Sequence, residues 1–110
     1  MKSHSLTRLC EEHLALARDA ASGRSAVTVY GGQEHDLRQT LITLVAGAKL
    51  HDHESPGEAT LQVLTGRVRL VAGDESWDAN AGDHLVIPLA RHGLEAVSDT
   101  AVLLTVATRA

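Results

Sequence analysis

The sequence predicts an all-β barrel or sandwich preceded by one α-helix. Three observations carry this. Short runs rich in β-branched residues follow one another at near-regular spacing after Gly23. Turn residues separate them: Ser55-Pro56-Gly57, Thr65-Gly66, Ala72-Gly73-Asp74, Asn80-Ala81-Gly82-Asp83 and Ser98-Asp99. No connection is long enough for the helical crossovers that a parallel sheet requires.

From Leu6 to Ala21 the residues are strong helix formers, and Gly23 stands where a helix ends. Leu6, Leu9, Cys10, Leu14, Ala17 and Ala21 recur at helical spacing as one apolar stripe, which must be covered by the same chain or by a partner subunit. The strands expected next are Ala26–Tyr30, Arg38–Ala46, Thr60–Leu64, Val68–Ala72, Ser76–Asp78, Leu85–Ile87, Leu94–Val97 and Ala101–Ala107. The chain divides into a helical arm, 1–24, and a barrel, 25–110, with no internal repeat or low-complexity run.

Composition narrows the function. The 110 residues fit one domain, and 44% hydrophobic with 22% charged residues is ordinary for a globular protein. The net charge of −4, without a Lys/Arg cluster, argues against nucleic acid as a partner. Aromatics are only 2%, Trp77 and Tyr30, so stacking platforms are scarce. The longest uncharged apolar stretch, Leu41 to Ala48, falls far short of the ~20 residues that span a bilayer. The lone Cys10 excludes a disulfide framework and a multi-cysteine zinc site, and a reducing, cytoplasmic setting is expected.

Seven histidines are the main chemical clue. In Leu50-His51-Asp52-His53, strand alternation would point His51 and His53 to one face, at a separation that suits a shared transition metal. His92, after Pro88-Leu89-Ala90-Arg91, would open a later strand that a barrel could bring beside them. An isolated His-x-His also reads as an exposed pair or a hydrogen-bonded core pair. His84 reads as a strand or surface residue, and His4, His13 and His35 as surface residues. Asp83 reads as a turn residue bonded to backbone, and Trp77 as core or pocket wall.

The stretch from Gly47 to His92 resembles the cupin superfamily. Its first motif reads here as Gly47, His51, His53, Glu58 and Gly66, and its second as Gly82-Asp83-His84-Leu85-Val86-Ile87-Pro88 followed by His92. The resemblance implies a double-stranded β-helix, or jelly-roll-like, barrel. It also implies a divalent transition metal (zinc, iron, nickel or manganese) on His51, His53 and His92, with Glu58 as the carboxylate ligand. Counting back from Gly66, however, the ligand position falls on Ala59. If Leu61 and Val63 face inward, so does Ala59, while Glu58 and Gln62 face out. A bulge, or the Pro56-Gly57 turn, would be needed to bring Glu58 back.

Candidate pocket residues are Ile42, Leu44, Leu61, Val63, Val86 and Leu104, an aliphatic lining suited to a small, mostly apolar ligand with metal-binding oxygens. The resemblance implies a metal-dependent enzyme of dioxygenase, isomerase or decarboxylase type, or else a metal-free small-molecule binding or sensor module. A structural role for the metal is a third reading. It also implies a homodimer, through a strand near residues 25–31 or the N-terminal helix.

Overall fold

The computed structural model describes residues 1–54 and 57–107. The elements in order are α1 (Leu6–Asp19), β1 (Arg24–Tyr30), β2 (Leu37–Leu44), β3 (Lys49–His53), β4 (Glu58–Thr65), β5 (Arg67–Ala72), β6 (Glu75–Asn80), β7 (His84–Val86), β8 (His92–Ala96) and β9 (Thr100–Ala107). They form two antiparallel sheets, one of five strands in the order β1-β2-β9-β4-β7 and one of four in the order β3-β8-β5-β6. This is the all-β architecture with one N-terminal helix that the sequence predicts. The Ser55-Pro56 part of one predicted turn lies outside the described residues.

Ser5 caps α1, its hydroxyl accepting from the Arg8 amide at 3.2 Å. The helix stops at Asp19, two residues before the predicted end, and Ala21 is exposed rather than part of the stripe. Cys10 and Ala17 are buried. The stripe finds its cover on the chain's own barrel: Cys10 packs with Leu41 of β2 and Ala101 of β9, among Leu9, Val27, Val29 and Leu64. Polar bonds fix this docking. Thr43, wholly buried, donates its hydroxyl to the His13 carbonyl at 2.9 Å and lies 3.3 Å from the Ser25 carbonyl. The His13 ring shares a 2.9 Å hydrogen bond with the Ser25 hydroxyl, so His13 is a half-buried clamp rather than a surface residue.

Alternation along the strands sorts the rest. Ala59, Leu61 and Val63 of β4, Val102 and Val106 of β9, and Leu44 of β2 face the four-stranded sheet. That sheet answers with Val68 and Leu70 of β5, Ala79 of β6, and Leu94 and Ala96 of β8. Of the predicted pocket residues, Ile42, Leu44, Leu61, Val63 and Leu104 belong to this core. Val86 does not. It pairs with Thr60, on the opposite face from Leu61 and its partner Leu85, and is 75% exposed.

Gly66 closes the β4–β5 hairpin at φ +81°, where a Cβ would run into the backbone of Asp99 and Thr100. Asp83 caps its own turn as expected, accepting from the Asn80 amide at 2.8 Å. Trp77 pairs with Leu70 but sits on the edge strand β6 and is 42% exposed.

Candidate metal centre at the barrel mouth

His53 and His92 stand directly opposite each other across β3 and β8. Their ring centroids are 4.6 Å apart and the planes cross at 60°. His92 opens β8, two residues before the core residue Leu94, so its side chain shares the inward face and is only 5% exposed. His53 shares that face as its direct partner, and is exposed at the end of the sheet.

Main-chain carbonyls orient both rings. The Nδ1 of His92 lies 2.8 Å from the Ala90 carbonyl, and the Nδ1 of His53 lies 3.0 Å from the His51 carbonyl. A carbonyl oxygen can only accept, so Nδ1 carries the hydrogen in each ring. In the neutral imidazole this leaves the lone pair on Nε2, the state in which histidine ligates a metal.

His51 does not join them. Leu50 pairs with Leu94 and His53 with His92, so His51 and Asp52 together oppose the single residue Gly93. This β-bulge allows Leu50 and His53, three residues apart, to face the same way. Leu50 thereby packs on the core, while His51 opens onto a groove of about 400 Å³ lined also by Lys49, Asp52, Arg91 and Glu95. Gly93 makes the bulge possible. A Cβ there would meet the Asp52 Oδ1 at 2.6 Å and the Leu50 carbonyl at 2.9 Å. Arg91 braces the segment, donating to the Asp52 carbonyl at 3.1 Å and pairing with Glu54 at 3.4 Å. Gly93, between His92 and the predicted strand Leu94–Val97, was the available signal for this irregularity.

Glu58 is not near the pair either. With Ala59, Leu61 and Val63 turned into the core, Glu58 and Gln62 are exposed on the opposite face of β4. His84 pairs with Gln62 on that outer face. Among the described residues no group of three or more His, Cys, Asp or Glu side chains is placed to hold one ion. The nearest approach to a donor set among the described residues is the pair His53 and His92, each with Nε2 left as the acceptor nitrogen.

No sequence-family model matches the chain, and no curated protein matches it. Solved structures do. An RmlC-like cupin protein from Desulfovibrio desulfuricans is 30% identical over 98% of this chain and 97% of its own, with a TM-score of 0.73. The chain belongs to the cupin superfamily. A conserved protein of unknown function from Streptococcus pyogenes resembles this cupin at 27% identity and a TM-score of 0.72, over 83% and 79% of the two chains. Salicylate 1,2-dioxygenase from Pseudoaminobacter salicylatoxidans, solved with gentisate, shares the fold at a TM-score of 0.79 and 21% identity. The cupin matches only 33% of that longer chain. No described helix is long and apolar enough to cross a membrane.

Proposed function

We propose that this cupin binds a divalent transition metal at the barrel mouth through His53 and His92, and takes a small organic ligand beside it. The observation that carries the reading is the close pair of imidazoles, 4.6 Å apart, each held by a main-chain carbonyl through Nδ1 so that the neutral ring keeps its lone pair on Nε2. A metal there would supply Lewis-acid polarisation of a ligand oxygen. Two protein ligands leave several coordination positions for a bidentate ligand, in keeping with the small-molecule complexes of the fold neighbour. The chain's own part is to orient the two rings, to seat the ligand against aliphatic side chains, and to keep water off the buried His92 side. The proposed pair excludes His51, which lines the outer groove, and Glu58, which is exposed on β4.

The test is elemental analysis of untagged protein, followed by calorimetric titration with Zn²⁺, Ni²⁺, Mn²⁺ and anaerobic Fe²⁺. About one ion per chain, lost in His53→Ala and in His92→Ala, supports the reading. No binding by any of the four ions overturns it in favour of a metal-free small-molecule binding module.

A homodimer is proposed through β1. Four strands are sheet edges: β1, β7, β3 and β6. The edge of β7 is three residues long, β3 is bulged and charged, and β6 carries Glu75 and Asp78. From Ser25 to Tyr30, β1 carries no charge, and Ala26, Thr28 and Tyr30 are exposed. Such an edge is suited to antiparallel pairing with a second copy. Light scattering at micromolar concentration would return a dimer mass; a monomer mass would overturn it.

A further inference from the structure

The bulge in β3 sets up a competition between two adjacent side chains. Taken back from the His53–His92 pair without a bulge, β3 would place Asp52 against Gly93 and His51 against Leu94. His51 and His53 would then share the inward face, and Leu50 would turn out. With the bulge at His51–Asp52, Leu50 takes the inward place opposite Leu94 and His51 turns out. One inward position is thus open to either Leu50 or His51, never both. Leu50 holds it by packing on the apolar core that includes Leu94 and Leu70. Gly93 accommodates the arrangement by leaving room for the Asp52 carboxylate and the Leu50 carbonyl.

We infer that Leu50 is the positioning residue that determines how many histidines this centre presents. While its side chain is inward, the ion meets His53 and His92 alone. When the apolar anchor is removed, the bulge moves two residues toward Lys49 and His51 enters as a third imidazole. The inference rests on the metal-binding reading given above, but its register component is independent of metal.

The experiment uses untagged protein titrated with Ni²⁺ alone, in the parent and in His51→Ala, His53→Ala, Leu50→Ser and Leu50→Ser/His51→Ala. Leu50→Thr is carried in parallel, since its β-branched side chain keeps strand propensity if the serine variant folds poorly. Affinity in His51→Ala stays within about twofold of the parent, whereas His53→Ala loses at least about tenfold. Leu50→Ser or Leu50→Thr binds at least about tenfold more tightly, and adding His51→Ala returns it to the parent value. A purely structural role for Leu50 would weaken binding or leave it unchanged.

Nuclear Overhauser contacts read the register without metal. The parent shows Leu50 opposite Leu94, and the Leu50 variants show His51 opposite Leu94. Equal losses in His51→Ala and His53→Ala, or Leu50 variants that keep the parent register, would overturn the inference. If no form binds Ni²⁺ and the other ions also fail, the metal-binding reading falls. The backbone contacts then still decide whether Leu50 keeps His51 out.

Discussion

His53 and His92 form a direct cross-strand pair whose rings approach to 4.6 Å, each fixed through Nδ1 by a backbone carbonyl within 3.0 Å. The two differ in what their loss would do to the fold. His92 is 5% exposed, so His92→Ala opens a void and strips the Ala90 carbonyl of its partner. The expected cost is about 2 kcal/mol in urea unfolding. His51→Ala, on an exposed groove, is expected to stay within about 0.5 kcal/mol. Near-equal losses for these two variants would contradict the placement of the rings.

Metal binding adds a linked prediction. An ion that binds only the folded chain, at a hundred times its Kd, raises stability by about 2.7 kcal/mol. Thermal unfolding with Ni²⁺ is expected to shift Tm upward in the parent and in Glu58→Ala, whose side chain is exposed on the far face of β4. The shift vanishes in His53→Ala. A shift that disappears in Glu58→Ala instead would place the carboxylate in the ligand set.

Gly93→Ala tests the bulge itself. The added Cβ would meet both the Asp52 carboxylate at 2.6 Å and the Leu50 carbonyl at 2.9 Å. The backbone clash cannot be relieved by a side-chain rotation. Destabilisation of about 1–3 kcal/mol is expected, and Asp52→Ala should recover only part of it. Complete recovery, seen as a parent-like urea midpoint in the double variant, would show that the carboxylate alone sets the strain.

Asp99 supplies a pH-dependent contribution. Its carboxyl is held below the ordinary value near 3.8, first by the Ala46 amide at 2.9 Å and then by Arg18 at 3.0 Å. A lowered folded value means that the contribution is complete above the unfolded pKa and fades as pH falls through the folded one. Parent and Asp99→Asn should therefore differ most near neutral pH, by about 0.5–1 kcal/mol given the exposure of the pair, and converge as pH falls through the lowered folded value. A constant difference from pH 7 to pH 2.5 would refute the assignment.

The helix clamp can be read through Cys10. Burial, and secondarily Glu11, push its thiol above the ordinary value of 9.0, which suppresses the reactive thiolate. Thiol labelling at pH 8 should be slow in the parent. Thr43→Val keeps the shape but leaves the His13 and Ser25 carbonyls without their hydroxyl partner, at an expected cost of about 1–2 kcal/mol. Labelling of Cys10 should accelerate accordingly. Unchanged labelling would mean that the helix is held by its apolar contacts alone.

Much of the barrel was legible because strands with one buried face leave a period of two. Ala59, Leu61 and Val63 announce their face this way, and Gly66 and Asp83 announce their turns. The alternation that placed Ala59 inward also left Glu58 outward. What failed was the extension of the same period through Leu50-His51-Asp52-His53. There the bulge lets an apolar residue and a histidine three positions apart share one face, a choice made by Leu94, His92 and Gly93 from another part of the chain. Val86 was misplaced for a related reason: β7 spans only three residues, too few for alternation to declare a face. The bonds of His13 to Ser25 and of Thr43 to the His13 carbonyl arise only after the helix docks, so no local pattern encodes them.

The position of β9 has a consequence for how the chain is made. Encoded last among the described strands, it lies in the middle of the five-stranded sheet, between β2 and β4. During synthesis the β1–β2 hairpin and β4 therefore emerge with unfilled edges, and they can only be joined once residues 100–107 have cleared the ribosome. Assembly of that sheet waits on β9 by topology and is dominated by long loop closures, which makes it correspondingly slow. A chain cut short before Thr100 would hold out two sheet fragments lacking their common neighbour, the species most in need of a chaperone.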